Sequence, residues 1–255
     1  MSVTVKNSFL DVPFDVLSAN EVVEDIFAAL HSGQRSWLCT VNVAILMQQR
    51  KHADLRQYIR QARWVVADGK PIVWFSRFFG PALPERVTGV DLIEKLARRA
   101  AATQTGIYLL GGDARVVRQA RKRLLESVPD LWIAGDHSGY FSGKDAAEVA
   151  REISESGADI LIVGMGVPRQ ERFIMAHWAR LGVKFAMAVG GSFDVLGGLR
   201  RRAPPVLQRL GLEWAFRLAQ EPRRLWKRYL VTNSQFLALM IRHLARRLFI
   251  RGTKS

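Results

Sequence analysis

The chain has 255 residues, of which 49% are hydrophobic, and this suits one sizeable α/β domain with an appendage. A single cysteine, Cys39, excludes a disulfide framework and a cysteine-based zinc site. The net charge of +15 is uneven: residues 196–255 hold 14 Lys and Arg against 2 Asp and Glu, whereas residues 1–195 hold 24 against 21. The N-terminus lacks the basic start and apolar run of a signal peptide, so a cytoplasmic location is expected.

The predicted elements begin with residues 3–17, whose alternating pattern around Pro13 indicates a small hairpin or an edge element. Short apolar runs then alternate with segments of helical period. The predicted strands are 36–41, 64–67, 106–110, 131–134, 159–163 and 185–189. The predicted helices are 19–32, 43–61, 89–103, 114–127, 144–156 and 169–181. This alternation predicts an α/β fold with a Rossmann-like, mostly parallel sheet and helices on both faces.

The pattern changes at about residue 196, where GGLRRRAPP leads into helical, basic and aromatic segments without a strand candidate. We therefore predict two parts, a catalytic core of residues 1–195 and a helical appendage of residues 196–255. Such a basic tail is typical of proteins that meet phosphate groups, although it is also compatible with a solvated basic face. Its longest apolar run, residues 236–241, is far below the roughly 20 residues that span a bilayer.

Polar side chains follow the predicted strands, where ligands bind in parallel α/β sheets. Thr40 and Asn42 point the same way from an extended chain and would grip one ligand together, or Asn42 caps the following helix. Asp68 would accept a proton from a hydroxyl nucleophile, and Gly69 lets a substrate approach the backbone. The alternative is that Asp68 and Gly69 merely form a turn.

The segment GMGVPRQE, residues 164–171, resembles a dinucleotide fingerprint but has Arg169 in place of its third glycine. We expect a tight turn around Gly166 with free backbone N–H groups that favour phosphate, and Pro168 at the first helical position. Gln170 and Glu171 would then face the cleft. Neither clustered histidines nor an Asp-x-Asp pair occurs, so no metal site and no cofactor are predicted.

Taken in order, these pieces resemble the WecG/TagA/CpsF family of bacterial glycosyltransferases. The resemblance extends over nearly the whole chain and is carried by TVN at 40–42, VADGKP at 66–71, RVTGVDL at 86–92, YLLGG at 108–112, GMGVPRQE at 164–171, VGGSFDVLGG at 189–198, RRAP at 201–204 and GLEWAFRLAQEPRRLWKRY at 211–229.

The resemblance implies an inverting, metal-independent transfer from a UDP-sugar to a saccharide on a polyprenyl diphosphate, at the inner face of the cytoplasmic membrane. The transferred sugar would be N-acetylmannosamine, its uronic acid or glucose. Asp68 matches the general base of the family. Positions that line its substrate pocket match Thr40, Asn42, Arg86 and Gln170. Positions that hold diphosphate match Arg217 and Arg224, followed by either Lys227 or Arg228.

The chemistry of such a transfer fits these residues, because a departing UDP needs positive charge near its diphosphate. Arg217, Arg224 and Arg228 fall at spacings that place them on one helical stripe, which Pro222 distorts. Beyond Tyr229 the sequence predicts an amphipathic basic helix that lies in an anionic membrane surface. By resemblance, family members change their association when the tail engages a membrane, so a homo-oligomer is compatible with the sequence, which does not itself define the oligomeric state. The competing interpretations are a nucleic-acid-binding module, for which no binding motif is found, and a lipid-binding scaffold without catalytic activity.

Overall fold

A computed structural model describes the backbone of residues 5–252 and the side chains of residues 5–245. Its strands are β1 Lys6–Phe9, β2 Val12–Asp15, β3 Ser36–Val41, β4 Trp64–Ala67, β5 Ile107–Gly111, β6 Ile133–His137, β7 Ile160–Gly164 and β8 Phe185–Ala188. Strands β3 to β8 form one sheet in the order β4-β3-β8-β7-β5-β6, and every neighbouring pair is parallel. The carboxyl ends of all six strands therefore lie along one edge.

The helices of the core are α1 Ala19–His31, α2 Val43–Gln48, α3 Ala53–Gln61, α4 Lys70–Ser76, α5 Gly89–Thr103, α6 Ala114–Ser127, α7 Ala146–Glu155, α8 Arg169–His177 and α9 Ser192–Leu196. They cover both faces of the sheet. In β7, Leu161 and Val163 pack on one face while Ile160 and Ile162 pack on the other. Double coverage explains why this strand is a continuous apolar run, and the predicted α/β fold is confirmed.

The predicted N-terminal hairpin is also confirmed, with β1 and β2 paired antiparallel. Asp15 of this hairpin contacts the main sheet: its Oδ2 accepts a hydrogen bond from the backbone N–H of Val65 at 2.7 Å. Burial raises the pKa of this carboxyl, and the hydrogen bond from Val65 and the Lys6 ammonium oppose the rise. The hairpin is therefore joined to the edge strand β4 by a buried polar contact.

One predicted helix was wrong, and a further helix was missed. The single helix expected at 43–61 is divided, because α2 ends at Gln48 and α3 begins at Ala53. The Arg56 guanidinium donates to the carbonyl oxygens of Gln49 and Arg50, each at 3.2 Å, and so satisfies groups that the break leaves free. Helix α4, directly after β4, was not predicted from the sequence.

Beyond the core, the chain forms α10 Pro205–Arg209, α11 Glu213–Gln220 and α12 Pro222–Gly252. Pro222 does not lie inside a helix. It is the first residue of α12, where a backbone N–H would have no acceptor within the helix, so the missing N–H of proline costs nothing. Phe236 and Met240 on one face of α12 are buried in the same hydrophobic cluster as Leu161 and Val163 of β7. Among the described residues, no helix is both long and apolar enough to cross a bilayer. The division of the chain at residues 195 and 196 stays a prediction.

Candidate active site

A cavity of about 850 Å³ opens at the carboxyl edge of the sheet. Its core wall includes residues at or after the strand ends, among them Thr40, Asn42, Asp68, Gly166 and Gln170. Its opposite wall comes from α11 and α12, which contribute Glu213, Trp214, Arg217, Arg224, Arg228 and Phe236. The cavity therefore joins the predicted core site to the basic appendage.

Asp68 follows β4 and leads into α4, with Gly69 as the N-cap residue of that helix. Its side chain is only partly exposed, and it lines the cavity. Burial raises the pKa of Asp68 to about 7; Arg217 and Arg86 oppose this rise, while the carboxylates of Glu213 and Asp91 add to it. At neutral pH this carboxyl group is therefore close to half ionised, which suits proton transfer.

Gly69 and Gly166 both line the cavity, as expected from the sequence. Gly69 has an extended φ of 174°, and a Cβ there would meet only Pro71, at 3.9 Å. Gly166 has a φ of +78° with open space beside it, so its left-handed backbone rather than crowding favours glycine. The backbone next to Asp68 is thus accessible from the cavity.

Thr40 and Asn42 both line the cavity, and each also has a structural contact. The Asn42 Oδ1 accepts a hydrogen bond from the backbone N–H of Ile45 at 3.1 Å, which caps α2. The Thr40 hydroxyl donates to the carbonyl oxygen of Ala188 on the neighbouring strand at 3.4 Å. Capping and a position in the cavity, which the sequence left as alternatives for Asn42, therefore occur together.

Gln170 connects two of the glycine-containing turns at the strand ends. Its Oε1 accepts from the N–H of Gly166 at 3.2 Å and from the N–H of Gly190 at 2.9 Å. The N–H of Gly166 is therefore already bonded, contrary to the expectation that this amide is free for phosphate. Pro168 is the N-cap residue and Arg169 the first helical residue, one position later than expected.

Glu171 does not line the cavity, so the prediction that it faces the cleft was wrong. Adjacent helical residues point about 100° apart, which turns Glu171 inward while Gln170 faces the cavity. Its Oε1 accepts a hydrogen bond from Gln170 Nε2 at 2.8 Å, and its Oε2 is buried without a partner among the described residues. Burial raises the pKa of Glu171 to about 7.

Arg86 of the core contacts two side chains of the appendage. Its guanidinium forms an ion pair with Glu213, and its Nη2 donates to Gln208 Oε1 at 3.0 Å. These partners lie 127 and 122 positions away in the sequence. Arg86 lines the cavity, as expected, but in the described structure its guanidinium is held by the appendage.

Of the tail cations expected at the site, Arg217, Arg224 and Arg228 line the cavity. Lys227 does not line it, and its ammonium lies 5.5 Å from the ring centroid of Trp226. The expected single helical stripe is interrupted, because Arg217 belongs to α11 whereas Arg224 and Arg228 belong to α12. Three arginines from two helices thus reach the same cavity.

Within the appendage, sequence reasoning missed four further charged residues that line the cavity, namely Arg200, Arg201, Glu213 and Glu221. The glutamates are the two acidic residues of segment 196–255. Their isolation among 14 basic residues was a usable signal, because a carboxylate surrounded by many cations readily forms ion pairs. Among the described residues, no three His, Cys, Asp or Glu side chains converge as a candidate metal site.

Comparison with known proteins agrees with the resemblance seen in the motifs. The model of the Glycosyl transferase WecG/TagA/CpsF family matches residues 7–249. Proteins from Staphylococcus aureus strains MW2, NCTC 8325 / PS 47 and COL are each 33% identical over 227 residues, which cover 88% of this chain and 87% of the relative. Each of these relatives is named N-acetylglucosaminyldiphosphoundecaprenol N-acetyl-beta-D-mannosaminyltransferase. The chain belongs to the WecG/TagA/CpsF family of glycosyltransferases.

Proposed function

We propose that the protein transfers a hexosyl group, N-acetylmannosamine first among the candidates, from a UDP-sugar to a saccharide on a polyprenyl diphosphate. The uronic acid of N-acetylmannosamine and glucose are the other candidate sugars. The observation that carries the proposal is one cavity that combines Asp68, with a pKa of about 7, and arginines of the appendage. The names of the relatives support the lipid-diphosphate acceptor and N-acetylmannosamine.

In the proposed reaction, an acceptor hydroxyl attacks the anomeric carbon of the donor while its proton passes to the Asp68 carboxylate. The new glycosidic C–O bond forms as the C–O bond to UDP breaks, so a single displacement inverts the anomeric configuration. Negative charge develops on the departing diphosphate. Arg217, Arg224 and Arg228, which line the same cavity, would stabilise that charge by charge-assisted hydrogen bonds.

Other residues of the core wall would hold the substrates in place. Thr40 and Asn42 lie at the end of β3 and Arg86 lies near Asp68, so all three would contact the sugars or the nucleotide. Gln170 would act mainly by holding the turns at Gly166 and Gly190. Lys227 and Glu171, which lie off the cavity, are not assigned a contact with substrate.

The polyprenyl chain of such an acceptor requires a membrane, and the exposed face of α12 suits a membrane surface. Phe236 and Met240 are buried against the core. Trp226, Leu230, Leu237 and Ile241 form a separate apolar stripe that is between 47% and 61% exposed. An apolar stripe on a basic helix is typical of helices that lie in the plane of an anionic membrane. We therefore propose peripheral binding at the inner face of the cytoplasmic membrane.

Mass spectrometry of products tests the proposed transfer directly. Purified protein is incubated with a panel of UDP-sugars and short polyprenyl diphosphates that carry N-acetylglucosamine or glucose. We expect one new glycosidic product, and we expect Asp68→Asn to lower its rate at least about 100-fold, because general base catalysis contributes that much or more. Full transfer by Asp68→Asn would remove Asp68 as the base, and no product with any pair would refute the proposed function.

Vesicle sedimentation tests the proposed membrane surface. Exchanging Leu230 and Ile241, which are exposed and lie off the cavity, for Gln is expected to weaken binding to anionic vesicles at least about 10-fold, because each exposed aliphatic side chain loses favourable burial among lipid. Trp132→Gln is the matched control, since Trp132 is 47% exposed but precedes β6, at the amino end of the strands. Equal binding by the double variant and the wild type would contradict this orientation.

A further inference from the structure

Glu221 lies at the junction of α11 and α12 and contacts two arginines at once. Its carboxylate forms an ion pair with Arg200, and its Oε2 is 2.7 Å from Nη2 of Arg224. The Glu221 side chain is 19% exposed and that of Arg200 is 28% exposed. Both arginines line the cavity, so the carboxylate occupies cationic groups that would otherwise be open to a ligand.

Arg200 is held at this position by several contacts of its loop. Its backbone N–H donates to the carbonyl oxygen of Asp194 at 3.0 Å, and its Nε lies 3.6 Å from Asp194 Oδ1. The backbone of the next residue, Arg201, exchanges two hydrogen bonds with the Gln220 side chain, at 3.2 and 3.1 Å. These contacts fix the loop that carries Arg200 against the end of α11. The Arg200 guanidinium is therefore already positioned beside Glu221, unlike that of a mobile surface arginine.

Three guanidinium groups are crowded at this place. The pKa of Arg200 is lowered chiefly by burial, and the charges of Arg224 and Arg217 lower it further, while Asp194 opposes the change. Crowded cations of this kind are most stable when further negative charge lies among them. Within the described structure, Glu221 is the carboxylate that both Arg200 and Arg224 contact.

We propose that Arg200 joins Arg217 and Arg224, already assigned to diphosphate above, in one binding cluster, and that the Glu221 carboxylate is an internal counter-ion that a bound diphosphate displaces. The inference deepens the proposed function and rests on it for the class of ligand. A diphosphate carries more negative charge than one carboxylate and offers several acceptor oxygens to planar guanidinium groups. The diphosphate belongs to either the nucleotide donor or the polyprenyl acceptor, since both have the same chemistry.

Calorimetric titration with three probes tests this cluster. The probes are UDP, geranyl diphosphate and inorganic pyrophosphate. Glu221→Gln removes the counter-ion and keeps the shape of the side chain, so we expect about 10-fold tighter binding of diphosphate. Arg200→Ala removes charge-assisted hydrogen bonds and is expected to weaken binding at least about 10-fold, with Arg200→Lys between it and the wild type. Arg223→Ala, on the same turn as Arg224 but off the cavity, is the control and should bind as the wild type does.

The three probes also distinguish the sources of the diphosphate. If the substitutions change the affinity for UDP but not for geranyl diphosphate, the cluster binds the donor. If they change the affinity for geranyl diphosphate but not for UDP, it binds the acceptor. Either result supports the inference. Thermal unfolding of each variant excludes loss of fold as the cause of weaker binding. Unchanged or weaker binding of every probe by folded Glu221→Gln would overturn the displaced counter-ion, and unchanged binding by Arg200→Ala would overturn the cluster.

The inference and the proposed function fail in different ways. A protein that transfers sugar but binds all three probes equally in every variant refutes the cluster and leaves the enzyme activity standing. A protein that yields no product with any donor and acceptor, yet binds pyrophosphate more tightly after Glu221→Gln and more weakly after Arg200→Ala, refutes the proposed reaction and retains the diphosphate site.

Discussion

The pH dependence of sugar transfer is expected to respond to residues of the appendage, although Asp68 itself lies in the core. The reactive form of a general base is the deprotonated one, and the pKa of Asp68 is about 7. Roughly one-tenth of the molecules carry the carboxylate at pH 6 and roughly nine-tenths at pH 8. The value of kcat/KM should therefore be about 10-fold higher at pH 8 than at pH 6.

Two substitutions should shift the transition, the pH at which kcat/KM rises, in opposite directions. Glu213→Gln removes a negative charge that raises the pKa of Asp68, so the rise in kcat/KM should shift to lower pH. Arg217→Gln removes the positive charge that lowers this pKa most, so the rise should shift to higher pH, whatever its effect on the plateau. The assay is UDP release measured from pH 5 to pH 9, with Arg223→Gln as the control for loss of a tail charge away from the cavity.

The position of the transition separates this reasoning from its alternatives. A transition near pH 4 would mean that Asp68 titrates as an ordinary exposed carboxyl group. Shifts of Glu213→Gln and Arg217→Gln in the same direction would show that the appendage acts through protein shape rather than through charge. Either result would refute the electrostatic account of the base.

Three further predictions concern stability and metal dependence. Because burial raises the pKa of folded Asp68 above its unfolded value, the ionised group destabilises the fold as pH rises from about 4 to about 7. Asp68→Asn should therefore raise the free energy of unfolding by up to about 4 kcal/mol at pH 8, with no gain near pH 4, as measured by urea titration. Near pH 4, where the folded Glu171 carboxyl is protonated, Glu171→Leu should lower the free energy of unfolding by about 1–3 kcal/mol, because Gln170 Nε2 loses its acceptor, whereas Glu171→Gln keeps an acceptor oxygen and should cost less. EDTA should leave the transfer rate unchanged, and a loss that magnesium restores would contradict the metal-independent reaction.

The core part of the site was predictable because its geometry follows from the fold class. Once the apolar runs indicated a parallel sheet, the residues after each strand had to share one edge. Thr40 and Asn42 lie at the end of β3, Asp68 follows β4 and Gln170 comes after β7, and all four line the cavity. No knowledge of side-chain packing was needed for this step. The same reasoning failed for Glu171. Adjacent residues of a helix point about 100° apart, so the Glu171 side chain enters the core although that of Gln170 faces the cavity.

The contacts of the appendage were not predictable in the same way. Arg86 pairs with Glu213 across 127 positions, and no local pattern marks either residue as a partner of the other. Helical spacing placed Arg217 and Arg224 on one stripe, but Pro222 begins a new helix, and tertiary packing brings both residues to the cavity. The basic charge of the tail indicated a phosphate-binding role. The ion pairs of its two acidic residues, Glu213 with Arg86 and Glu221 with Arg200, became visible only in the structure.

The appendage does more to the site than supply phosphate-binding groups. Its Arg217 and Glu213 act on the pKa of Asp68 with opposite signs, and Glu213 also holds Arg86 of the core. Phe236 and Met240 of α12 belong to the core hydrophobic cluster, so removal of the tail exposes apolar surface of the core as well. Loss of activity in a truncated chain would therefore combine a changed base, a released Arg86 and a disturbed core. Point substitutions of exposed α12 residues separate membrane binding from these effects, because they leave both the packed face of the helix and the charges around Asp68 in place.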